Sequence, residues 1–438
     1  METDKTTLAD LSIFSNEEEF SVFNKLNLTR TVIGSEKLRS NFTHALQNLE
    51  EIRGVQDTIR FITSRLSQWP EQINNGTVMV IQRFYETSVD TIPSHPGAMS
   101  ALNYKLLHSA DYSLVKYSAG HSFEFIKGML LMIERFLIDD TPAPLAKLLK
   151  EAAKAIDKEQ LSIVRKFKSA SDLDTKQLLE FAHFLRYNYK IHFLDLLDLY
   201  AQLDAWYSMA TATKQFGFVF PKFSESITPV VECRDLYHVL LQKPIAYNVR
   251  LDQHCNFLFL TGANMAGKST FIKSIGISVF LAHVGMGVPA RSMTLSFFDG
   301  LLSNINVVDN VVKGESYFYN EVQRIKTTVT RINNNKRWLI LIDELFKGTN
   351  VQDAMKCSSA VVEGLLKIKN SLFILSTHLY EIGEDLKKYP NINFKYFETS
   401  VVNDQLEFSY QLKDGISNDR LGYLILKREG VVDMLEKL

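Results

Sequence analysis

Ten residues, Thr261–Thr270 (TGANMAGKST), constrain this 438-residue chain more than any others. Gly262, Gly267, Lys268 and Ser269 fit the spacing G-x-x-x-x-G-K-[ST]. The apolar run NFLFL before them reads as a short buried strand, and FIKSIGISVFLAHVG after them reads as a helix. In a strand–glycine loop–helix setting, backbone N–H groups turn toward an anion and the helix N-terminus adds its positive end. Lys268 can then reach β- and γ-phosphates, and the Ser269 hydroxyl can ligate Mg²⁺. The expectation is a site for a nucleoside triphosphate.

Two downstream segments supply the rest of such a site. Trp338–Glu344 (WLILIDE) is an apolar strand that ends in two carboxylates. Asp343 can hold Mg²⁺, and Glu344 is placed to orient or deprotonate an attacking water. The plain alternative is a surface acidic pair after a core strand. Leu372–His378 (LFILSTH) is a second apolar strand, and His378 at its end could sense a γ-phosphate. The alternative there is a half-exposed histidine without a role. In KGESYFYNEV, Ser316 reads as an ordinary helix cap.

Organisation along the chain is bipartite. Residues 1–225 read as helical, with apolar residues at three and four spacing. Proline and glycine gather at Ile92–Gly97 and Thr141–Pro144, which read as loops. From residue 226 onward, strand-like and helix-like segments alternate, so the expected fold there is a sheet flanked by helices. Strands are expected at NFLFL, RWLILID, SLFILST, NFKYFETSVV and QLEFSYQL. Helices are expected around Tyr317–Ile332, Asp353–Ile368 and Gly422–Glu429. Glu17–Glu19 read as a solvated helix start. The formal net charge of −1 shows no global basic excess that would advertise nucleic acid. Three scattered cysteines fit neither a disulfide framework nor a zinc cluster, so a reducing cytoplasm is the simple reading. The polar N-terminus is not a signal peptide, and the most apolar helices carry charges or glycines, so no membrane is expected.

In its second half the sequence resembles the MutS family of DNA mismatch-repair ATPases. TGANMAGKST is similar to the family's TGPNMGGKST, including the Asn264-Met265 pair. LIDELFKGTN resembles its DE-x-G-x-GT segment, and LSTHLYEI resembles its ATH-x-x-EL segment. The likeness covers roughly residues 227–438. More weakly, the segment around Thr29–Leu38 resembles the family's T-x-T-x-x-G-x-x-x-L helix pair. Leu203–Asp204 resembles its connecting helices. The implied fold is an α/β P-loop NTPase domain of ABC type, preceded by an all-α core and lever domain. The resemblance implies that Gly262, Ala263, Asn264, Met265, Ala266, Gly267, Lys268, Ser269 and Thr270 line ATP. It implies Mg²⁺ on Ser269 and Asp343, catalysis by Glu344 with Lys268 and His378, and Ser316 facing the nucleotide of a second subunit. A homodimer acting on DNA follows from it.

The departures from the pattern are specific. Ala263 stands for the family's loop proline and Ala266 for a loop glycine. Glu315 and Tyr317 replace the signature's Arg and Thr, which places a negative charge near the expected phosphate. An ATP-binding relic with little turnover is therefore a further reading. The adenine-stacking aromatic falls near Pro244, and Tyr247 is the nearest substitute. Nothing resembles the mismatch-reading domain, and Phe84–Glu86 and Phe223–Glu225 are chance matches to its Phe-x-Glu motif. No clamp insertion or tail domain is expected, and Met1 reads as the start of a natural short form. Structured DNA is thus expected rather than mismatches. The alternative is a nucleotide-gated dimerisation module that acts on a protein or ribosomal partner.

Overall fold

The computed structural model describes residues 1–15, 20–306, 317–402, 405–417 and 431–435, which form two compact units. Glu17–Glu19, Glu315, Ser316 and the expected helix at Gly422–Glu429 lie outside the described residues.

The helical unit comprises Leu26–His44 and Arg53–Gln215. Its longest helices are Ser109–Phe136 and Lys190–Gln215. They meet through aromatic rings: Phe125 packs edge-on against Phe193 at 5.5 Å and Tyr200 at 5.8 Å. The expected loop at Ile92–Gly97 ends where Gly97 starts the helix Ala98–Leu107. Pro142 precedes the helix Ala143–Ile156, where a proline in the first turn costs no hydrogen bond.

One polar cluster explains the T-x-T-x-x-G-x-x-x-L segment. Thr31 caps the helix Val32–Thr43, its hydroxyl accepting the Gly34 amide at 3.1 Å. Asp204, wholly buried, accepts from the backbone N–H groups of Arg30 and Thr31, each at 2.9 Å, and from the Thr31 hydroxyl at 2.6 Å. A Cβ on Gly34 would occupy the place of the Asp204 carboxylate. Leu38 completes the motif as a buried core residue.

The α/β unit takes Phe216–Leu438 together with Met1–Lys25 and Ala45–Ile52. This differs from a simple division at residues 225 and 226, and the contacts of the N-terminal segment give the reason. Glu2 pairs with Gly300, and Asp10, at the end of helix α1 (Lys5–Asp10), accepts from the Ser303 hydroxyl and the Ile305 amide. Leu11 packs where a Cβ on Gly276 would sit.

Among the described residues ten strands follow: β1 (Lys222–Ser224), β2 (Val231–Leu236), β3 (Tyr247–Leu251), β4 (Phe257–Thr261), β5 (Ser292–Ser296), β6 (Gly300–Asn304), β7 (Trp338–Asp343), β8 (Leu372–Ser376), β9 (Ile392–Val402) and β10 (Gln405–Asp414). Helix α2 (Lys268–Val284) follows β4, and α3 (Tyr317–Ile332) precedes β7. Helix α4 (Val351–Leu365) joins β7 to β8, and α5 (Tyr380–Leu386) follows β8. The five expected strands are β4, β7, β8, β9 and β10.

A small sheet has the order β1-β5-β2-β3. The main sheet has the order β10-β9-β4-β8-β7-β6, parallel except for β10. Every residue of β4, β7 and β8 is buried, which is why these strands are continuous apolar runs rather than alternating ones. Their register places Ser376 beside both Leu260 and Asp343. The glycine loop, the acidic pair and His378 therefore leave three adjacent strand ends. In open α/β sheets, ligands bind outside such carboxyl ends.

Candidate functional site

The loop after β4 owes its shape to its glycines. Gly262 and Gly267 have φ of 138° and 107°, and Met265 between them also has positive φ. A side chain at Gly267 would be strained. Its backbone turns directly into α2, whose first free N–H groups face the loop. Ala263 and Ala266 are buried beneath the loop, while Asn264 and Met265 are exposed.

Lys268 lies across this loop. Its Nζ donates to the carbonyls of Gly262 at 2.8 Å and Ala263 at 2.9 Å. Burial lowers its pKa to about 8, partly opposed by the charges of Glu344 and Asp343. Ser269, one residue on, donates its hydroxyl to one oxygen of Asp343, and Ser376 donates to the other. A hydroxyl and a carboxylate in contact form a hard oxygen donor set, which suits Mg²⁺.

Glu344 has a positive φ of 64°, and its amide donates to the Ser376 carbonyl at 2.9 Å. This turn carries its side chain to His378 Nε2 at 2.8 Å and Lys347 Nζ at 2.9 Å. Burial alone would raise the Glu344 pKa, but the hydrogen bonds from His378 and Lys347 overcome it and hold the value at about 2. His378 Nε2 also lies 3.3 Å from Lys268 Nζ. A ring nitrogen that donates to Glu344 cannot accept from Lys268, so the second approach is proximity only.

These groups open onto a cleft of about 480 Å³. The loop residues Asn264, Met265, Gly267, Lys268, Ser269 and Thr270 line it with Glu344, and His238, Leu241, Lys243, Ile245, Tyr247 and Tyr410 complete the wall, Tyr410 and Tyr247 coming close to Gly267. Tyr247 is 8% exposed, with Phe271 and Phe397 edge-on at 5.3 and 5.6 Å. It is held as part of the core. Tyr410, Leu241 and Ile245 are exposed and apolar, and offer more free surface to a planar ring. Leu241 and Ile245 flank Pro244, where the stacking position is expected, but they are aliphatic and a search for an aromatic passes over them; Tyr410 lies far along the chain, and nothing local ties it to the loop. Tyr410 stands at a register shift between β10 and β9, again with positive φ.

These strand ends define a class first: an α/β domain whose glycine loop runs from a parallel strand into a helix N-terminus. Residues 258–434 match the family model MutS domain V, which is a P-loop ATPase domain. Over these residues the chain is similar to the MutS family's ATPase domain. The human MutS protein homolog 4 is 31% identical over 237 residues, 51% of this chain and 24% of that protein. The DNA mismatch repair protein MutS of Petrotoga mobilis is 26% identical over 287 residues, 65% of this chain and 34% of that protein. Its Staphylococcus aureus (strain JH9) counterpart is 27% identical over 245 residues, 54% and 27% of the two chains. The chain thus aligns with about a quarter to a third of the length of these relatives. Among the described residues, no helix is long and apolar enough to cross a membrane.

Proposed function

We propose that the chain is a MutS-like P-loop ATPase that binds and hydrolyses ATP with Mg²⁺, forms a homodimer with composite sites, and couples turnover to binding of structured DNA in the cytoplasm. The observation that carries this reading is the convergence of Lys268, Ser269, Asp343, Glu344 and His378 at neighbouring strand ends. Loop amides and the α2 N-terminus receive the phosphates, and Lys268 supplies the cation beside them. Ser269 and Asp343 would hold Mg²⁺, which when bound there neutralises phosphate charge. Glu344, held ionised, orients the attacking water through a lone pair left free on its carboxylate. His378 keeps Glu344 in place from the side of the γ-phosphate. Ser316 would complete the site of the second subunit. Residues 1–225 would serve as core and lever, and residues 226–438 as the ATPase.

The near-neutral charge supports a second reading, a nucleotide-gated dimerisation module for a protein or ribosomal partner. An ATPase assay with duplex, mismatched, branched and single-stranded nucleic acids separates the two. The DNA reading expects stimulation by one class and binding that falls steeply with salt. An absence of nucleic-acid binding at low salt would favour the second reading.

A further inference from the structure

Helix α3 carries a buried carboxylate that the sequence reading passed over. Glu321 is 4% exposed. One of its oxygens accepts the backbone N–H of Lys347 at 3.1 Å, and the other accepts that of Gly348 at 3.3 Å. Burying a carboxylate is costly unless donors satisfy it, so two amides aimed at it form a specific arrangement. Burial raises the Glu321 pKa, and these amides pull it back. The loop held in this way is the one that returns to Glu344, because Lys347 Nζ reaches the Glu344 carboxylate at 2.9 Å. Nearly one helical turn along α3, Arg324 donates to the Ser303 carbonyl and, at 2.5 Å, to the Asn304 side chain. Helix α3 is thus tied at one turn to the end of β6 and at another to the loop behind Glu344. The lysine whose ammonium meets the Glu344 carboxylate thus sits on the backbone that Glu321 holds.

We propose that Glu321 is a positioning residue for hydrolysis: it fixes the Lys347–Gly348 backbone so that the Lys347 ammonium stays against Glu344. The inference rests on the ATPase reading of Glu344. A purely structural cap would cost stability when removed and leave turnover by the folded protein unchanged. A positioning residue moves kcat while the phosphate loop, which it does not touch, keeps KM.

The test uses the full chain with Glu321→Ala and Glu321→Gln, reading kcat and KM for MgATP and amide hydrogen exchange at Lys347 and Gly348. The alanine variant is expected to lose about tenfold or more in kcat, with KM within about twofold of the parent. Exchange at the two amides should accelerate. Glutamine keeps one carbonyl acceptor and should restore part of both losses. If the alanine variant does not fold by circular dichroism, the glutamine variant decides on the same two readouts. Parental kcat in a folded variant, or unaltered exchange at both amides, would overturn the proposal. A parent chain with no ATPase activity would instead remove the underlying ATPase reading, an outcome distinct from an active parent with an equally active variant.

Discussion

Replacing Asp204 by alanine is the sharpest test of how the helical unit holds its first helix. Asp204 accepts from two backbone amides, those of Arg30 and Thr31, and from the Thr31 hydroxyl. The hydroxyl can rotate, but the two amides cannot turn away. Each buried donor left unpaired costs about 1–3 kcal/mol, so the two together cost about 2–6 kcal/mol. The expected loss is about 4 kcal/mol, at the upper end of single substitutions. Gly34 supplies a control, because its missing Cβ makes room for the same carboxylate. Gly34→Ala should be strongly destabilising in the parent and less so once Asp204 is alanine, because the carboxylate atoms at 2.1 and 2.6 Å are gone while the Cβ of residue 204 at 2.8 Å remains. The double mutant should therefore be more stable than the sum of the singles predicts, by about 1–3 kcal/mol. Urea denaturation followed by circular dichroism measures all four corners of the cycle. Burial also raises the Asp204 pKa, despite the donors. The folded state then holds this proton more tightly than the unfolded chain. That contribution is full below the ordinary carboxylate pKa and is lost as pH rises through the folded value. An Asp204→Ala loss below about 1 kcal/mol, or additive costs for the pair, would refute the reasoning.

Two predictions concern the cleft. Glu344→Gln should bind ATP, lose about 10²–10⁴ in turnover and accumulate as a dimer on gel filtration; a strictly monomeric ATP-bound form would count against composite sites. ATP affinity should fall as pH rises through about 8, where the buried Lys268 loses its proton. Fluorescent-nucleotide titrations across that range check this, and affinity that stays level well above it would contradict the assigned role.

The legible part of the structure was local. TGANMAGKST, WLILIDE and LFILSTH each place chemistry at the end of a continuous apolar run, and the parallel sheet then brings those ends together. Short strands were not legible: YNVRL and SMTLS alternate over only five residues each, and GLLSN has neither alternation nor a long apolar run. Distant pairings were also hidden. Nothing near Asp204 announces that it caps backbone 173 residues away. Nothing in the polar N-terminal segment announces that Asp10 is buried against Ser303. The helical pattern around Glu321 does not show that its carboxylate meets the backbone after β7. Tyr410 could not be joined to the loop without the fold.

The most direct test of the central claim is ATP hydrolysis by the purified chain beside its Lys268→Ala variant, with Mg²⁺ present. The account predicts turnover in the parent and none above background in the variant, because the only cation laid across the Gly262 and Ala263 carbonyls among the described residues is gone. Robust hydrolysis by Lys268→Ala would contradict it.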